Sequence, residues 1–432
     1  MTRFIFVFEG LWYDGLEKRY VMKQKLTPLE YKWICYDIGN SAFILLVSTI
    51  LPIYFNSLSS AAGLAENDYL SYWSYATSIS TIIVALLGPI LGTIADYKGK
   101  KKRIFATSAF LGALSLACFW IPSYWLSFLV LYIVAKICYS LSLVFYDSML
   151  VDVTKEENMD AISTQGYAWG YIGSCIPFII SLVFVLMNEA IGISMHTAMM
   201  ITFILNALWW VLFTLPLFRS YRQKHYIEPD KHVIHDTFAR LKKTLTSIKK
   251  QKKIFLFLLS FFFYIDGVYT IIDLATAYGT SLGLDTTGLL LALLFTQIVA
   301  FPASLTFAKL SKQYDTAKLI RICIFAYFLI TVFAVQLDAL WEFWVLAGAV
   351  GCFQGGIQAL SRSYFAKIIP ENASGEYFGL FDICGKGASF LGLLVVGIVT
   401  QFTGKQNLGV AALIFMFLIG YFLFSKASKI ED

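Results

Sequence analysis

Long apolar stretches, separated by short polar segments, follow one another along almost the whole chain. A helix that crosses a bilayer needs about 20 apolar residues. The pattern therefore predicts an all-α integral membrane protein. The twelve predicted transmembrane helices lie at approximately 33–54, 71–94, 104–121, 124–149, 163–187, 196–217, 254–275, 287–309, 318–336, 341–360, 375–402 and 407–424.

The basic residues indicate how these helices are oriented. Lys and Arg are concentrated before the first predicted helix, after every even-numbered helix and at the C-terminus, whereas the segments on the opposite side hold only Lys405. Cytoplasmic segments carry the excess of Lys and Arg. The sequence therefore predicts that both termini are cytoplasmic. A missed helix would invert every later segment, so the alternation also supports the count of twelve.

The longest basic segment divides the predicted helices into two sets of six. Its basic composition is typical of a solvated linker with an amphipathic stretch at the lipid headgroups. The predicted parts of the chain are a cytoplasmic N-terminal segment (1–27), a first six-helix bundle (28–217), a basic cytoplasmic linker (218–253), a second six-helix bundle (254–425) and a cytoplasmic tail (426–432).

The first helix carries its own start signal. Thr27, Pro28 and Glu30 form a capping box with proline at the first helical position, so the helix is expected to begin near Pro28. Residues 1–21 precede a second methionine, Met22, and have no clear role. The pattern favours Met22 as the true start, with the residues before it disordered or never translated.

Composition excludes several other classes of protein. Hydrophobic residues make up 58% of the chain and charged residues 14%, against about 45–50% and 25% in soluble domains. The net charge of +6 lies between apolar stretches, which is typical of membrane topology and not of a nucleic-acid interface. The seven cysteines form no CxxC pair and His232-x-x-His235 has no further ligands, so no metal or cofactor is expected. Enzyme motifs such as GxSxG and HExxH are absent from the sequence.

The segment GTIADYKGKK joins predicted helices 2 and 3 and contains Gly92, Asp96, Gly99, Lys100 and Lys101. Glycine permits a tight turn and a close approach of two helices, and the carboxylate can pair with a helix end or a basic side chain across the bundle. This spacing resembles the cytoplasmic loop signature of the major facilitator superfamily. The resemblance implies two six-helix halves that expose a central site to each side of the membrane in turn.

Two positions depart from that signature. Tyr97 stands where the family usually has Arg, so the charge network between the helices is expected to be weaker. In the equivalent segment of the second half, AKLSKQYD, Lys312 stands where the Asp would be. The internal repeat is therefore degenerate, as expected for halves related by duplication.

The stretch YDIGNSAF in helix 1, and the segment SRSYFAKIIPENASGEYFGLFDICGKGASFLG before and within helix 11, narrow the resemblance. Both are similar to the vacuole-effluxer-like branch of that superfamily, whose named member is a vacuolar amino-acid effluxer of yeast. The resemblance covers nearly the whole chain by topology. It implies amino-acid efflux, although bacterial relatives need not share that substrate.

Polar side chains interrupt five predicted helices at helical spacing, so that each set lies on one face. A charge in the middle of a bilayer costs at least about 2.5–3.5 kcal/mol, and such residues therefore face a cavity or a partner. By the resemblance, helices 1, 4, 7 and 10 line a central cavity and helix 11 flanks them. The candidate substrate-binding residues are Asp37, Asn40, Lys136, Asp266, Asp273, Gln354, Gln358, Asp382 and Lys386.

A purely structural role stays open for most of these residues. Asp382 and Lys386 are four residues apart on helix 11 and could hold each other in the membrane. Asp37 could brace a contact between two helices. Gln354 and Gln358 could pack one helix against another.

Mixed buried charge suits a zwitterionic substrate. Lys136, helped by Lys386, could hold a carboxylate, while Asp37 or Asp266 could hold an ammonium group. A carboxylate that moves between wet and dry surroundings can bind and release a proton, which would allow Asp37, Asp266 or Asp382 to couple proton movement to transport.

The sequence therefore predicts a monomeric secondary active transporter of small polar solutes, with amino acids or similar zwitterions leading and proton-coupled efflux as the mode. Its expected partners are the solute, protons and the lipid bilayer, and its expected location is a bacterial inner membrane. Two alternatives stay open. A multidrug-type exporter of amphipathic compounds would need an apolar cavity, and a non-transporting scaffold or receptor would not need the polar stripes.

Overall fold

The computed structural model describes residues 26–64, 66–229 and 233–430, without the side chains of 53, 66–70, 233–236, 276–277, 280–281, 286–287, 290 and 386–390. Over these residues the chain is helical, and its long helices are named α1 to α12. They are Pro28–Ala61 (α1), Glu66–Ala95 (α2), Lys100–Ala117 (α3), Trp125–Ser148 (α4), Met159–Leu186 (α5), Met195–Ser220 (α6), Lys252–Ser281 (α7), Thr286–Leu310 (α8), Thr316–Ala334 (α9), Leu340–Ile368 (α10), Ser374–Thr403 (α11) and Gln406–Ala427 (α12), with a linker helix, Val233–Ser247, between α6 and α7.

The start of α1 confirms the capping box. The Thr27 hydroxyl accepts from the Glu30 backbone N–H at 3.3 Å, and the Glu30 carboxylate accepts from the Thr27 N–H at 2.7 Å. The predicted start at Met22 lies outside the described residues.

Ten of the described helices are long and apolar enough to cross a membrane. Of the other two long helices, α3 begins with four basic residues, and α11 contains the apolar segment Leu391–Thr403. The predicted twelve membrane crossings and the cytoplasmic termini stay predictions.

The predicted ends of helices 1, 7 and 10 are wrong. The structure extends α1 to Ala61, α7 to Ser281 and α10 to Ile368, so that α10 contains Arg362 and Lys367, which the prediction placed in a basic loop. The helix α10 extends because these two cations have acidic partners in the first half of the protein, which compensate for the loss of water.

Helices α1–α6 and α7–α12 meet chiefly along two helix pairs, α2 with α11 and α5 with α8, and α5 also packs against α10. The helices α2 and α11 touch through their backbones. A Cβ added to Gly92 would lie 2.2 Å from the carbonyl oxygen of Gly375, and one added to Gly379 would lie 2.7 Å from the oxygen of Gly88. Small residues at a membrane-helix contact allow this approach, so no side chain separates the two halves there.

The first part of the linker returns to the first half. Ile227 forms an isolated parallel bridge with Tyr97. The Ile227 N–H donates to the backbone carbonyl of Asp96 at 2.8 Å, and the Ile227 carbonyl accepts from the backbone N–H of Lys98 at 3.1 Å. The Tyr221 hydroxyl donates to Asp152, just after α4. Burial raises the pKa of Tyr221, so this hydroxyl stays a donor.

Candidate functional site

A buried arginine joins the two halves. Arg362 on α10 has only 2% of its surface exposed. Its guanidinium donates to the Asp147 carboxylate at 2.9 Å and to the Ser163 hydroxyl and carbonyl at 2.8 and 2.9 Å, and it lies 3.5 Å from the Asp37 carboxylate. Its three partners lie on α4, α5 and α1, which all belong to the first half. We call these four residues the arginine cluster.

Aromatic rings enclose this cluster. The guanidinium carbon lies 4.7 Å from the Trp33 ring centre and 4.5 Å from that of Tyr167, within the range of cation–π attraction. Gly166 leaves room for it, because a Cβ there would lie 2.3 Å from an Asp37 carboxylate oxygen. With one cation and two carboxylates, the ionised cluster has a net charge of −1 and would be stabilised by a further positive charge.

Asp37 and Asn40 belong to this cluster. The Asp37 carboxylate also accepts from the Tyr146 hydroxyl at 2.7 Å and from the Asn40 amide at 3.2 Å, and that amide donates to the Tyr36 carbonyl as well. Both residues are buried. In this conformation they brace a helix contact, which is the structural role that the sequence left open for Asp37.

The basic end of the bundle is the end where the α2–α3, α4–α5, α8–α9 and α10–α11 turns lie. A second set of contacts joins the halves there. The Asp160 carboxylate on α5 accepts from Lys367 at 2.6 Å, from the Ser363 hydroxyl at 2.6 Å and from the Thr316 hydroxyl at 2.5 Å. One carboxylate of the first half therefore holds α9 and α10 of the second.

The loop motif supplies a third contact. The buried Asp96 accepts from the backbone N–H groups of Gly375 and Glu376 at 2.8 and 2.9 Å, at the N-terminus of α11. Lys101, also fully buried, lies 3.6 Å from Asp96 and donates to the Ser374 hydroxyl at 2.7 Å. Burial raises the pKa of Asp96 to about 6, against the opposing effects of Lys101 and the two N–H groups. Asp96 thus meets a helix end across the bundle, one of the partners expected from the sequence.

The other motif residues shape the turn. Gly92 lies in the α2–α11 contact, Gly99 caps α3 with φ of +71°, and the Lys100 side chain is exposed. Tyr97, the departure from the family pattern, is covered by Arg240 of the linker helix at 5.3 Å. Arg240 also donates to Glu376 at 3.1 Å, so the linker supplies a cation beside the position where the family usually has one.

A histidine of the linker bridges the same end. The His225 ring lies 3.0 Å from Asp152 of the first half through Nδ1 and 3.1 Å from Glu371 of the second half through Nε2. The ring therefore lies between one carboxylate of each half. Beside it lies a groove of about 750 Å³, lined by first-half residues such as Glu30 and Asn158 and by Lys312 and Glu371 of the second half.

A different set of charges lies deeper in the bundle. Lys136 precedes Asp147 by eleven residues on α4, which places it about 16 Å farther from the basic end. It is half-buried, and its charge interacts with that of the exposed Asp273 on α7. The half-buried Tyr269 interacts electrostatically with Asp147 of the arginine cluster and with Asp382 and Asp273. We call Lys136, Tyr269, Asp273 and Asp382 the interior site.

The remaining candidates lie apart from the Lys136–Asp273 pair. Gln354 is buried and Gln358 half-buried on α10, on which Gly351 and Gly356 pack against α8. Asp266 is buried against α11. The Lys386 side chain lies outside the described residues.

The substrate-binding residues predicted from the sequence did not include Arg362, Ser163, Asp160 or Tyr269. A signal for the arginine was present, because the sequence spacing from Gln354 to Gln358 continues by four residues to Arg362. Nothing in the local pattern distinguished the other three from ordinary helix residues.

Two six-helix sets that meet at α2–α11 and α5–α8, with charged side chains in the interior, define a membrane transporter of the major facilitator type. The solved structure of the human organic anion transporter MFSD10 has the same fold, with a TM-score of 0.70, 13% identity and coverage of 92% of this chain and 98% of that one. The chain therefore has the fold of that transporter.

The family can be stated more narrowly. The model of the family described as "Vacuole effluxer Atg22 like" matches residues 29–429, and the chain belongs to that family. The MFS-type transporter YxiO of Bacillus subtilis is 42% identical over 92% of this chain and 94% of its own length. Autophagy-related protein 22 of Coccidioides immitis is 23% identical over 79% of this chain and 69% of its own length.

Proposed function

We propose that this chain is a secondary active transporter that moves small polar solutes, amino acids or similar zwitterions first among them, by alternating access and in the direction of efflux. The observation that carries the proposal is the opposed pair Lys136 and Asp273. One half contributes the cation and the other the anion, and both side chains retain some exposure inside the bundle. A free amino acid has the complementary pair of charges.

In this proposal Lys136 binds the carboxylate of the solute. Asp273, with Asp382 and the Tyr269 hydroxyl nearby, binds the ammonium group. This differs from the sequence-based hypothesis, which gave the ammonium to Asp37 or Asp266, because Asp37 is already engaged by Arg362. A solute held by both halves favours the conformation in which the halves approach each other.

The arginine cluster and the contacts at the basic end would then form the gate. The basic end is taken to face the cytoplasm, as the positive-inside rule requires, and the described conformation is closed on that side. Opening would separate Arg362 from Asp37 and Asp147, and a proton or an ammonium group would compensate for the charge left behind. Proton-coupled transport across a bacterial inner membrane fits this arrangement.

A thermal-shift screen of the purified protein tests the substrate class. The panel contains the twenty amino acids, small peptides, sugars, phosphorylated metabolites and lipophilic cations. A ligand that binds only the folded protein stabilises it by about 2.7 kcal/mol at 100 times its Kd. We expect amino acids to raise the Tm of the wild type and of Lys155→Ala, an exposed lysine, but not that of Lys136→Ala.

Two results would contradict the proposal. An amino acid that stabilises Lys136→Ala as much as the wild type would remove the central role of that lysine. A panel without amino-acid hits but with a shift from lipophilic cations would favour the multidrug alternative.

A further inference from the structure

A carboxylate in the middle of α7 has an environment unlike that of the other acidic residues in the bundle. Asp266 has no exposed surface. Its Oδ1 accepts from the Gly392 backbone N–H on α11 at 3.0 Å and from the Thr270 hydroxyl at 3.4 Å. Its Oδ2 has no hydrogen-bond partner in the part of the chain that the structure describes.

Asp266 also differs in its electrical surroundings. Asp147 forms an ion pair with Arg362, and Asp273 interacts electrostatically with Lys136. For Asp266, by contrast, the interacting groups among the described residues are the Gly392 N–H and the Thr270 hydroxyl, both neutral. The helices packed against α7 do carry titratable or charged side chains, but none of the described ones has a resolved electrostatic effect on the Asp266 carboxylate. On α10, α11 and α12 these include Tyr364, Arg362, Asp382, Cys384 and Tyr421.

The contact with α11 is closely fitted. A Cβ on Gly392 would lie 2.8 Å from Oδ1 of Asp266 and 2.1 Å from the Thr270 hydroxyl. Only glycine lets the α11 backbone approach the carboxylate so closely. Separation of α7 from α11 would therefore change the environment of Asp266 directly, from dry to wet.

These contacts favour the protonated form of Asp266. An ionised carboxylate that is fully buried without a counter-charge is several kcal/mol less stable than in water. A neutral carboxylic acid keeps Oδ1 as the acceptor for Gly392 and places a hydroxyl on Oδ2, where no hydrogen-bond donor from the described residues competes for the space. The neutral form is therefore the one that this environment accommodates.

We propose that Asp266 is the proton-binding site of this transporter, separate from the residues that hold the solute. In the described conformation Oδ2 carries the proton. When water reaches Asp266 in another conformation of the cycle, the O–H bond breaks, the proton passes to that water, and the carboxylate keeps the electron pair until it is protonated again. This inference rests on the proposed transport function and adds to it the identity of the coupling ion. Asp266 lies about 10 Å along α7 from Asp273, since seven residues separate them.

The test needs no solute. The full-length protein in lipid nanodiscs is treated with dicyclohexylcarbodiimide, which reacts with protonated carboxyl groups in apolar surroundings, and modified peptides are identified by mass spectrometry between pH 6 and pH 9. We expect Asp266 to be modified at pH 7 and modification to fall at least tenfold by the highest pH. Asp147, which accepts a hydrogen bond from Arg362 at 2.9 Å, serves as the internal control and is expected to be modified much less than Asp266.

A second measurement covers the case in which the reagent does not reach the site. The infrared spectrum of the wild type at pH 7, minus that of Asp266→Asn, is expected to show the C=O stretch of a protonated carboxylic acid. Absence of that band overturns the proposal, whatever the labelling shows. If the band is absent while amino acids still stabilise the protein through Lys136, the proton site fails and the transport function stands. If the band is present and no solute binds, the proton site stands and the substrate class fails.

Discussion

Replacement of Arg362 by alanine is expected to open the basic end. Arg362 is 2% exposed, and its guanidinium contacts the carboxylates of Asp37 and Asp147 and the hydroxyl of Ser163, all from the opposite half. Removing one partner of a buried ion pair costs about 3–5 kcal/mol, because a buried charge is left uncompensated. These contacts join the halves only while the basic end is closed, so the cost falls on the closed conformation. At about 1.4 kcal/mol per tenfold, the closed-to-open ratio should fall by roughly 10²–10⁴.

Distances between two spin labels measure this ratio. Exposed positions on opposite halves at the basic end, Lys155 and Gln313, take the labels in a variant whose seven native cysteines have been replaced. We expect the wild type to show one short distance and Arg362→Ala to gain a longer one, with a lower Tm.

Two controls separate the mechanism from simple misfolding. Combining Arg362→Ala with Asp37→Asn and Asp147→Asn removes the uncompensated charges and should restore much of the closed population. Arg103→Ala, at an exposed arginine on α3, should change nothing. An Arg362→Ala protein with the distances and Tm of the wild type would refute the reasoning, since the buried pairs would then contribute nothing to closure.

Two further outcomes follow from the α2–α11 contact. Burial raises the pKa of Asp96 to about 6 in the folded protein, above its ordinary value of about 3.9. Between these two pH values the folded state binds more protons than the unfolded state, so stability should fall as the pH rises from about 4 to 6. Asp96→Asn should lose that slope in a plot of Tm against pH. At Gly375 an added Cβ would lie 2.5 Å from the Gly92 oxygen, so Gly375→Ala should lose roughly 1–3 kcal/mol. Gly397→Ala on the same helix, where nothing lies within 4 Å, should lose none; equal effects on the free energy of unfolding would contradict the packing argument.

Much of the fold was predictable because the signals are local. The apolar stretches located the long helices, and the capping box at Thr27 fixed the start of α1. The rule failed at α10, where an apolar length of about 20 residues was taken as the helix length. A helix continues as long as its backbone and side chains find partners, and those partners lie in the other half of the chain.

The candidate site was less predictable because its pairings are distant in sequence. Asp37 and Arg362 are separated by 325 positions, and nothing near either residue indicates the other. Asp266 and Asp273 share one helical stripe and were equivalent by sequence. The packing of α7 against α11 distinguishes them. Asp266 meets a backbone N–H and no counter-charge from the described residues, whereas Asp273 is exposed and interacts with Lys136.

The groove of about 750 Å³ at the basic end gives experimental access to the conformational equilibrium. Its walls belong to both halves, with Glu30 on one side and Lys312 and Glu371 on the other, so its shape depends on closure. A nanobody or small molecule selected against this groove would bind one conformation and trap it. To move the population from 1:99 to 99:1, such a binder needs a preference of about 10⁴-fold. A conformation-specific binder that occupies this groove would therefore stop the transport cycle without competing with the solute.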